Sequence, residues 1–536
     1  MIYVFHAEFA EALLKFPVTG SYWKIKRLDY FKLRIIYFKL PLACTIMKIE
    51  SFKIGRNISL ITLLVAGWAA CNMESAPPPK TPPNIVFLLV DDLGWNDVGC
   101  YGSTFYETPN IDRLAKEGMR FTNAYAACPV CSPTRASILT GKYPARLNMT
   151  DWIPGSDPKN RPLLGTKDKD ELPLAEITLA ETLKEAGYQT GFLGKWHLGE
   201  KGYFPENQGF DLNKGGHGAG QPASYFYPYK NKRKHWDVPG LENGTEGEYL
   251  TDRLTKEATQ FIATNKSQPF LLYLAYYNVH TPIQAKPELV AKYEQKKAKI
   301  NAENKQAFIA ERDGNSKQIQ DNPAYAGMVQ SVDESVGNIM AQLEHLGLSK
   351  NTIIVFTSDN GGLTTLPKNR KAPTSVIPLR AGKGWLYEGG IRVPTMIKWP
   401  DVIPKNSVCE EPIISTDFYP TILDLANLPT ISEQHKDGKS LAPLFHTDKE
   451  FSRNALYWHY PHYHGSMNRP SAAIRVGDYK LIEWFEDGAL ELYNLKSDIG
   501  EQDNLVETMP ERALELKRQL KDWQKDIGAL FPVENQ

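Results

Sequence analysis

The chain has 536 residues, 42% of them hydrophobic, with 62 Lys plus Arg against 62 Asp plus Glu. That length exceeds one ordinary core and predicts more than one domain, while the balanced charge excludes whole-surface attraction to nucleic acid or anionic lipid. The six cysteines (Cys44, Cys71, Cys100, Cys128, Cys131 and Cys409) are too few and too scattered for a disulfide framework.

From Met47 the sequence reads as an export signal: Lys48, Lys53 and Arg56, an apolar run from Ile58 to Ala70, then Cys71. The run is too short for a comfortable membrane span. The Ala-Ala-Cys ending resembles a bacterial lipoprotein cleavage site, which predicts lipidation of Cys71 or plain secretion, and an exported protein of the periplasm or cell surface. Residues 1–46 are expected to be an upstream extension outside the mature protein, 47–71 the signal, and 72–83 a Pro-rich linker.

Folding is expected to begin near Asn84. NIVFLLV, Asn84 to Val90, is a continuous apolar run suited to a strand buried on both faces. PFLLYLAYYNVH and Thr352 to Thr357 read the same way, and the patterns IDRLAKEGM and TLAETLKEAG read as helices. This alternation predicts an α/β fold whose large domain, 84–440, has a central mixed, mostly parallel sheet flanked by helices. Residues 286–322, rich in Lys and Gln, read as an exposed helical excursion. Beyond about Ser440, the runs ALYWHY, AAIRVGDYKLIEWF and LELYNL, then a helix from about Pro510 to Ile527, predict a smaller C-terminal α+β domain, 441–536, with an antiparallel sheet.

Asp91 and Asp92 directly follow one buried strand, and Asp359 and Asn360 another. Either pair alone is readable as turn residues capping the next element. Together they form a hard-oxygen set at the carboxyl ends of strands, where ligands of open α/β sheets gather, and this suits Ca²⁺ or Mg²⁺. Lys195 and His197 in GFLGKWHLGE, Lys383 in AGKGWLYEGG, and His280 after the PFLLYLAYYNV run offer donors for an oxyanion and a group for proton transfer. The implied chemistry is hydrolysis of an anionic ester beside a divalent metal. Ser132-Pro133 ahead of TRASIL reads as an N-cap and first-turn proline, putting Cys131 at a helix N-terminus, an end that favours an anion.

Cys131-Ser132-Pro133-Thr134-Arg135, followed by ASILTGKYPAR, resembles the signature of the type I sulfatases of the alkaline-phosphatase-like superfamily. VDDLGWNDVGCYG, GKWHLG, SDNGG and GKGWLYEGGIRVP resemble the family's other blocks, in the same order. The resemblance implies that a maturase oxidises Cys131 to formylglycine and that one Ca²⁺ is bound by Asp91, Asp92, Asp359 and Asn360, with residue 131 near or on the metal. It further implies that a hydroxyl of the aldehyde hydrate attacks sulfur while His280 or a nearby Lys protonates the leaving alcohol. His197 then deprotonates the second hydroxyl to expel sulfate; Arg135 orients the hydrate, and Lys195 and Lys383 hold sulfate oxygens. The expected partner is a sulfated carbohydrate, with no nucleic acid and no membrane contact except through a lipid anchor.

Rival readings are a phosphomonoester or phosphonate hydrolase of the same superfamily, and a surface glycan-binding lipoprotein without catalysis. A thiol or zinc module at Cys128 and Cys131 lacks a second Cys pair. A sugar platform is expected from SYFYPY at 224–229 and from His459, His462, His464 and Arg469 in WHYPHYHGSMNRP, with His217 contacting the sulfated residue. Domain-interface packing is the competing use of those aromatic clusters.

Overall fold

The computed structural model describes residues 82–536 except 157, 159, 235–237, 300–305 and 447–449. The upstream extension, the export signal with Cys71, and nearly all of the Pro-rich linker therefore lie outside the described residues.

The centre is an eight-stranded sheet in the order Ser407–Cys409, Met119–Phe121, Thr395–Lys398, Thr352–Ser358, Asn84–Val90, Phe270–Ala275, Gln189–Gly194, Leu212–Lys214. Every neighbouring pair is parallel except the two pairs that Thr395–Lys398 makes. The Asn84–Val90 run explains the layering. Val86, Leu88 and Val90 enter one buried cluster with residues of the helices Pro109–Glu117, Leu250–Thr264 and Pro323–His345. Ile85, Phe87 and Leu89 enter the other, with residues of Cys131–Thr140, Leu179–Glu185 and Phe418–Leu425. Alternate side chains of a strand face opposite ways, so a strand buried on both faces must be apolar throughout. Each such side chain contributes roughly 1.5–3 kcal/mol of burial.

A second, four-stranded antiparallel sheet joins Leu456–Tyr460, Ser471–Val476, Tyr479–Trp484 and Leu490–Asn494. Ala472, Ile474, Leu481 and Leu492 pack under helix Pro510–Asp526 through Ala513, Leu516 and Leu520. Its other face, with Trp458, Ala473, Ile482, Trp484 and Tyr493, shares a cluster with Tyr125, Trp385, Tyr387 and Ile391 from the preceding part of the chain. All described residues belong to one compact unit.

Two local expectations change. Residues 286–322 hold the helix Pro287–Lys297, then a hairpin, Phe308–Glu311 with Gly314–Lys317, whose second strand pairs with Thr365–Pro367. The hairpin's two-residue turn is Arg312-Asp313, with Arg312 in the left-handed region at φ 48°, so the turn positions hold none of the Asn-Gly or Asp-Gly pairs that announce a hairpin. Second, the helix after Val130 starts at Cys131 itself, and its end carries no side-chain cap. Ser132 lies inside the first turn, where its hydroxyl accepts from the Ile153 amide at 3.2 Å.

Candidate active site

Four adjacent parallel strands, Thr352–Ser358, Asn84–Val90, Phe270–Ala275 and Gln189–Gly194, end level with one another, Val90 beside Ser358 and Ala275 beside Gly194. The residues that follow them are therefore delivered to one place. The Asp359 amide donates to the Val90 carbonyl at 3.1 Å, and the Asp91 amide donates to the Asn278 carbonyl at 2.9 Å, two residues before His280. Gly194 has φ 98°, and a Cβ there would stand 1.9 Å from the Ala275 carbonyl oxygen, so only glycine lets the chain deliver Lys195 here. Asp92 (φ 61°) and His197 (φ 59°) are non-glycine residues in the left-handed region, at a cost of roughly 1–3 kcal/mol each.

Cys131 occupies the centre. Its Sγ lies 3.5 Å from Asp91 Oδ1 and 3.3 Å from Lys383 Nζ. Lys383 Nζ is also 2.6 Å from Asp92 Oδ1, and Lys195 Nζ is 2.7 Å from Asp91 Oδ2. Arg135 donates through Nε to Asp359 Oδ2 at 2.9 Å and through Nη1 to the Lys195 carbonyl at 2.6 Å, so its fork ties two strand ends together. The three aspartates are nearly or fully removed from solvent, as are Arg135 and the two lysines.

The electrostatics follow from that burial. Burial, with the Asp359 and Asp92 charges added, pushes the Asp91 carboxyl up to about 8 despite Lys195. At Asp92 burial acts the same way, but the Lys383 ammonium and its neighbours win and hold the carboxyl well below its usual range. Burial pushes the Cys131 thiol up to about 12, so the unmodified side chain is a neutral thiol. His197 Nε2–H donates to the Ile153 carbonyl at 2.6 Å, which leaves Nδ1 as a buried lone pair with no partner. Burial and then Lys195 hold that ring neutral. Gly220 is pressed against it; a Cβ there would meet His197 Cε1 at 2.4 Å. His280 Nδ1–H donates to the Thr281 carbonyl at 2.9 Å, leaving Nε2 3.7 Å from Asp92 Oδ2. Burial, followed by Lys383, pushes it down to about 3.

The donor set suits a divalent cation. Ligand-type atoms of Asp91, Asp92, Cys131 and His280 all lie within 4.8 Å of one another. Asn360 donates through Nδ2 to Asp92 Oδ1 at 2.8 Å, and its Oδ1 is buried without a hydrogen-bond partner. Crowded carboxylates and an orphaned amide oxygen are what a hard cation satisfies.

Asp91, Asp92, Cys131, Arg135, Lys195, His197, His280, Asp359, Asn360 and Lys383 thus come from six separate stretches of chain into one buried cluster. The residues expected to bind sugar divide. His459 has both ring nitrogens committed, to the Leu530 carbonyl at 2.7 Å and to Gln524 at 3.0 Å. His462 Nε2 sits 2.8 Å from Thr150 Oγ1, with Asp168 at 3.6 Å. Arg469 pairs with Glu486 at 3.0 Å and Asp313 at 3.4 Å. Those polar atoms are spent inside the protein. His217 accepts from the Ala219 amide through Nδ1 at 3.0 Å, and its carbonyl accepts from the His197 amide at 3.1 Å; its Nε2 is buried and unpartnered. In SYFYPY, Tyr225 and Tyr229 are core residues, and the Tyr225 hydroxyl binds the carbonyls of Tyr277 and His280 at 2.5 and 2.9 Å, bracing the His280 loop.

Sequence reasoning missed Asp97, although it lies in the same VDDLGWND block. Fully buried, it accepts from the Gly94 amide at 2.9 Å, Tyr325 at 2.6 Å and Thr374 at 2.8 Å, and so pins the loop after Asp92.

Comparison with known proteins places the chain as a whole. Residues 83–428 match the family model described as Sulfatase, and residues 381–526 match the one described as N-sulphoglucosamine sulphohydrolase, C-terminal. A sulfatase of Formosa agariphila is 32% identical, covering 87% of this chain and 93% of its own. N-acetylgalactosamine-6-sulfatase of Mus musculus is 32% identical, covering 82% and 78%. The crystal structure of Ps i-CgsB in complex with k-i-k-neocarrahexaose superposes with a TM-score of 0.65 at 32% identity, covering 83% of this chain and 93% of that one. The chain belongs to the sulfatase family, in its type I branch with the alkaline-phosphatase-like fold, and is a sulfuric ester hydrolase.

Proposed function

We propose that the protein removes O-sulfate groups from a sulfated polysaccharide or its oligosaccharides, using Ca²⁺ and a formylglycine made from Cys131 by a maturase. The observation that carries the reading is the seating of Cys131 between Lys383 and Asp91, at the start of a helix and among three buried aspartates. The sugar class is supported by relatives: N-acetylgalactosamine-6-sulfatase in the mouse, and solved structures in complex with k-i-k-neocarrahexaose or with the substrate D-glucosamine-2-N,6-O-disulfate, the latter at 25% identity and TM-score 0.62.

Asp91, Asp92, Asp359 and Asn360 would hold the cation, which when bound polarises a sulfate oxygen and offsets its charge. The aldehyde hydrate supplies one hydroxyl for attack and a second whose deprotonation releases sulfate, a route that a plain serine or cysteine ester lacks. The chain's own groups do the rest. Lys195 and Lys383 present ammonium charge to the anionic ester, in a buried setting where each charge–charge contact is stronger than in water. Arg135 holds Asp359 and the Lys195 backbone in place. His197 Nδ1, an unpartnered lone pair on a neutral ring, is the group assigned to take a proton. His280 offers its second ring nitrogen at the same centre.

The export signal and the Ala-Ala-Cys ending support work at a bacterial cell envelope, anchored by a lipid on Cys71 or secreted. The test compares turnover of 4-nitrophenyl sulfate and 4-nitrophenyl phosphate by protein made with a maturase. The reading predicts sulfate turnover well above phosphate. Phosphate preference would assign the chain's own reaction to phosphoester hydrolysis.

A further inference from the structure

Of the histidines in WHYPHYHGSMNRP, only His464 reaches the active centre. The turn that carries it is fixed: the Met467 amide donates to the His464 carbonyl at 3.0 Å, and Trp385 Nε1 donates to the Ser466 carbonyl at 2.9 Å. Trp385 lies two residues beyond Lys383, so the C-terminal sheet and the lysine loop hold each other. Gly384 (φ 86°) completes the seat. A Cβ on it would stand 2.5 Å from His464 Nδ1, so the imidazole lies against the backbone next to Lys383.

The tautomer follows from the partners. Nδ1 accepts from the Ser466 amide at 3.2 Å, with the Ser466 hydroxyl at 2.9 Å, which puts the proton on Nε2. Among the described residues nothing accepts that proton. Burial, then the Lys383 ammonium, pushes the ring down to about 3, and Asp92 is the other charge it senses. The imidazole is therefore neutral under working conditions, with a fixed N–H beside the sulfate-binding lysine. Its residue is partly exposed, whereas Lys383 is 5% and Asp92 2% exposed. The ring is thus more exposed than the lysine and aspartate whose charges it senses, which suits contact with the organic part of a sulfate ester rather than with the sulfate itself.

We propose that His464 is a specificity residue whose Nε2–H donates to a hydroxyl or ring oxygen of the saccharide bearing the sulfate, so that the enzyme favours sugar sulfates over simple aryl sulfates. This rests on the sulfatase reading above and deepens it. One neutral hydrogen bond of this kind is worth about 3- to 10-fold in kcat/KM.

The experiment uses mature protein made with a maturase, as wild type, His464→Ala and His464→Gln, the last because its amide retains a donor. Substrates are 4-nitrophenyl sulfate, N-acetylgalactosamine 6-sulfate and k-i-k-neocarrahexaose. The expected result is a fall of about 3- to 10-fold in the ratio of saccharide to aryl sulfate kcat/KM for His464→Ala, carried by KM and partly restored by His464→Gln. An unchanged ratio overturns the proposal, as does equal loss on both substrate types. A wild type that turns over the aryl sulfate and neither saccharide overturns it too, while leaving the sulfatase reading standing. A wild type inert toward all three sinks both.

Discussion

Lys480→Met tests how the C-terminal sheet supports the catalytic loop. Lys480 is fully buried, with Nζ 2.9 Å from Glu388 Oε1 and 2.9 Å from Glu501 Oε1, both carboxylates also fully buried. Glu388 starts the turn Glu388–Ile391 that follows the Lys383 loop. Its amide donates to Glu501 Oε2 at 2.6 Å, and its other oxygen is 2.6 Å from Arg392 Nε. Methionine keeps the volume and removes the charge, leaving two carboxylates facing each other out of water. Breaking a buried pair on one side costs about 3–5 kcal/mol. The loss should depend on pH. Burial, opposed by Lys480 and reinforced by Glu388, already places Glu501 at about 7, above its ordinary 4.5. An acid raised in the folded state stabilises fully below its unfolded pKa and loses that stabilisation as pH rises through the folded value. In the variant, Glu501 should rise further, so the penalty should be largest at pH 8 and shrink toward pH 5. Urea unfolding followed by tryptophan fluorescence at both pH values measures this, and adding Glu501→Gln should recover much of the loss at pH 8. An unfolding midpoint equal to wild type at pH 8 would refute the reasoning.

Three further outcomes are expected. Chelator should remove activity and Ca²⁺ should restore it, and Asn360→Ala should weaken Ca²⁺ binding measured by calorimetry without unfolding the protein; full-affinity binding by the variant would remove Asn360 from the ligand set. His197→Gln should lower kcat by roughly 100- to 10,000-fold with KM little changed, as loss of a positioned base does, and a kcat within a few-fold of wild type would take His197 out of proton transfer. Gly194→Ala should lower the thermal midpoint, since its Cβ would lie 1.9 Å from the Ala275 carbonyl at φ 98°; the cost exceeds about 1 kcal/mol, and an unchanged midpoint would show that the strand end can shift.

Much of the centre was legible because its logic is local. An apolar run ending in acids predicts both a buried strand and a charged strand end, and Asn84–Val90 and Thr352–Ser358 end side by side with their acids adjacent. Gly-flanked Lys195 and Lys383 stood out because glycines mark backbone that other chain approaches. The remainder depended on distant packing. His459, His462 and His464 look alike in sequence, and only the docking of the second sheet decides that the first two bond inward while the third reaches Lys383. Ser132 looked like a cap because Ser-Pro commonly opens helices, yet Val130 has the extended backbone of the cap and Cys131 is already helical. The bridge from Lys480 to Glu388 spans 92 residues, a separation at which nothing in local pattern announces a pair.

The central claim is that residue 131 is not a cysteine in the working enzyme. It is tested most directly by the mass of the tryptic peptide ending at Arg135, from protein made with a maturase and shown to hydrolyse a sulfate ester. The account predicts the aldehyde form, with activity in proportion to its fraction across preparations. Full activity from protein whose residue 131 is an intact thiol would contradict it.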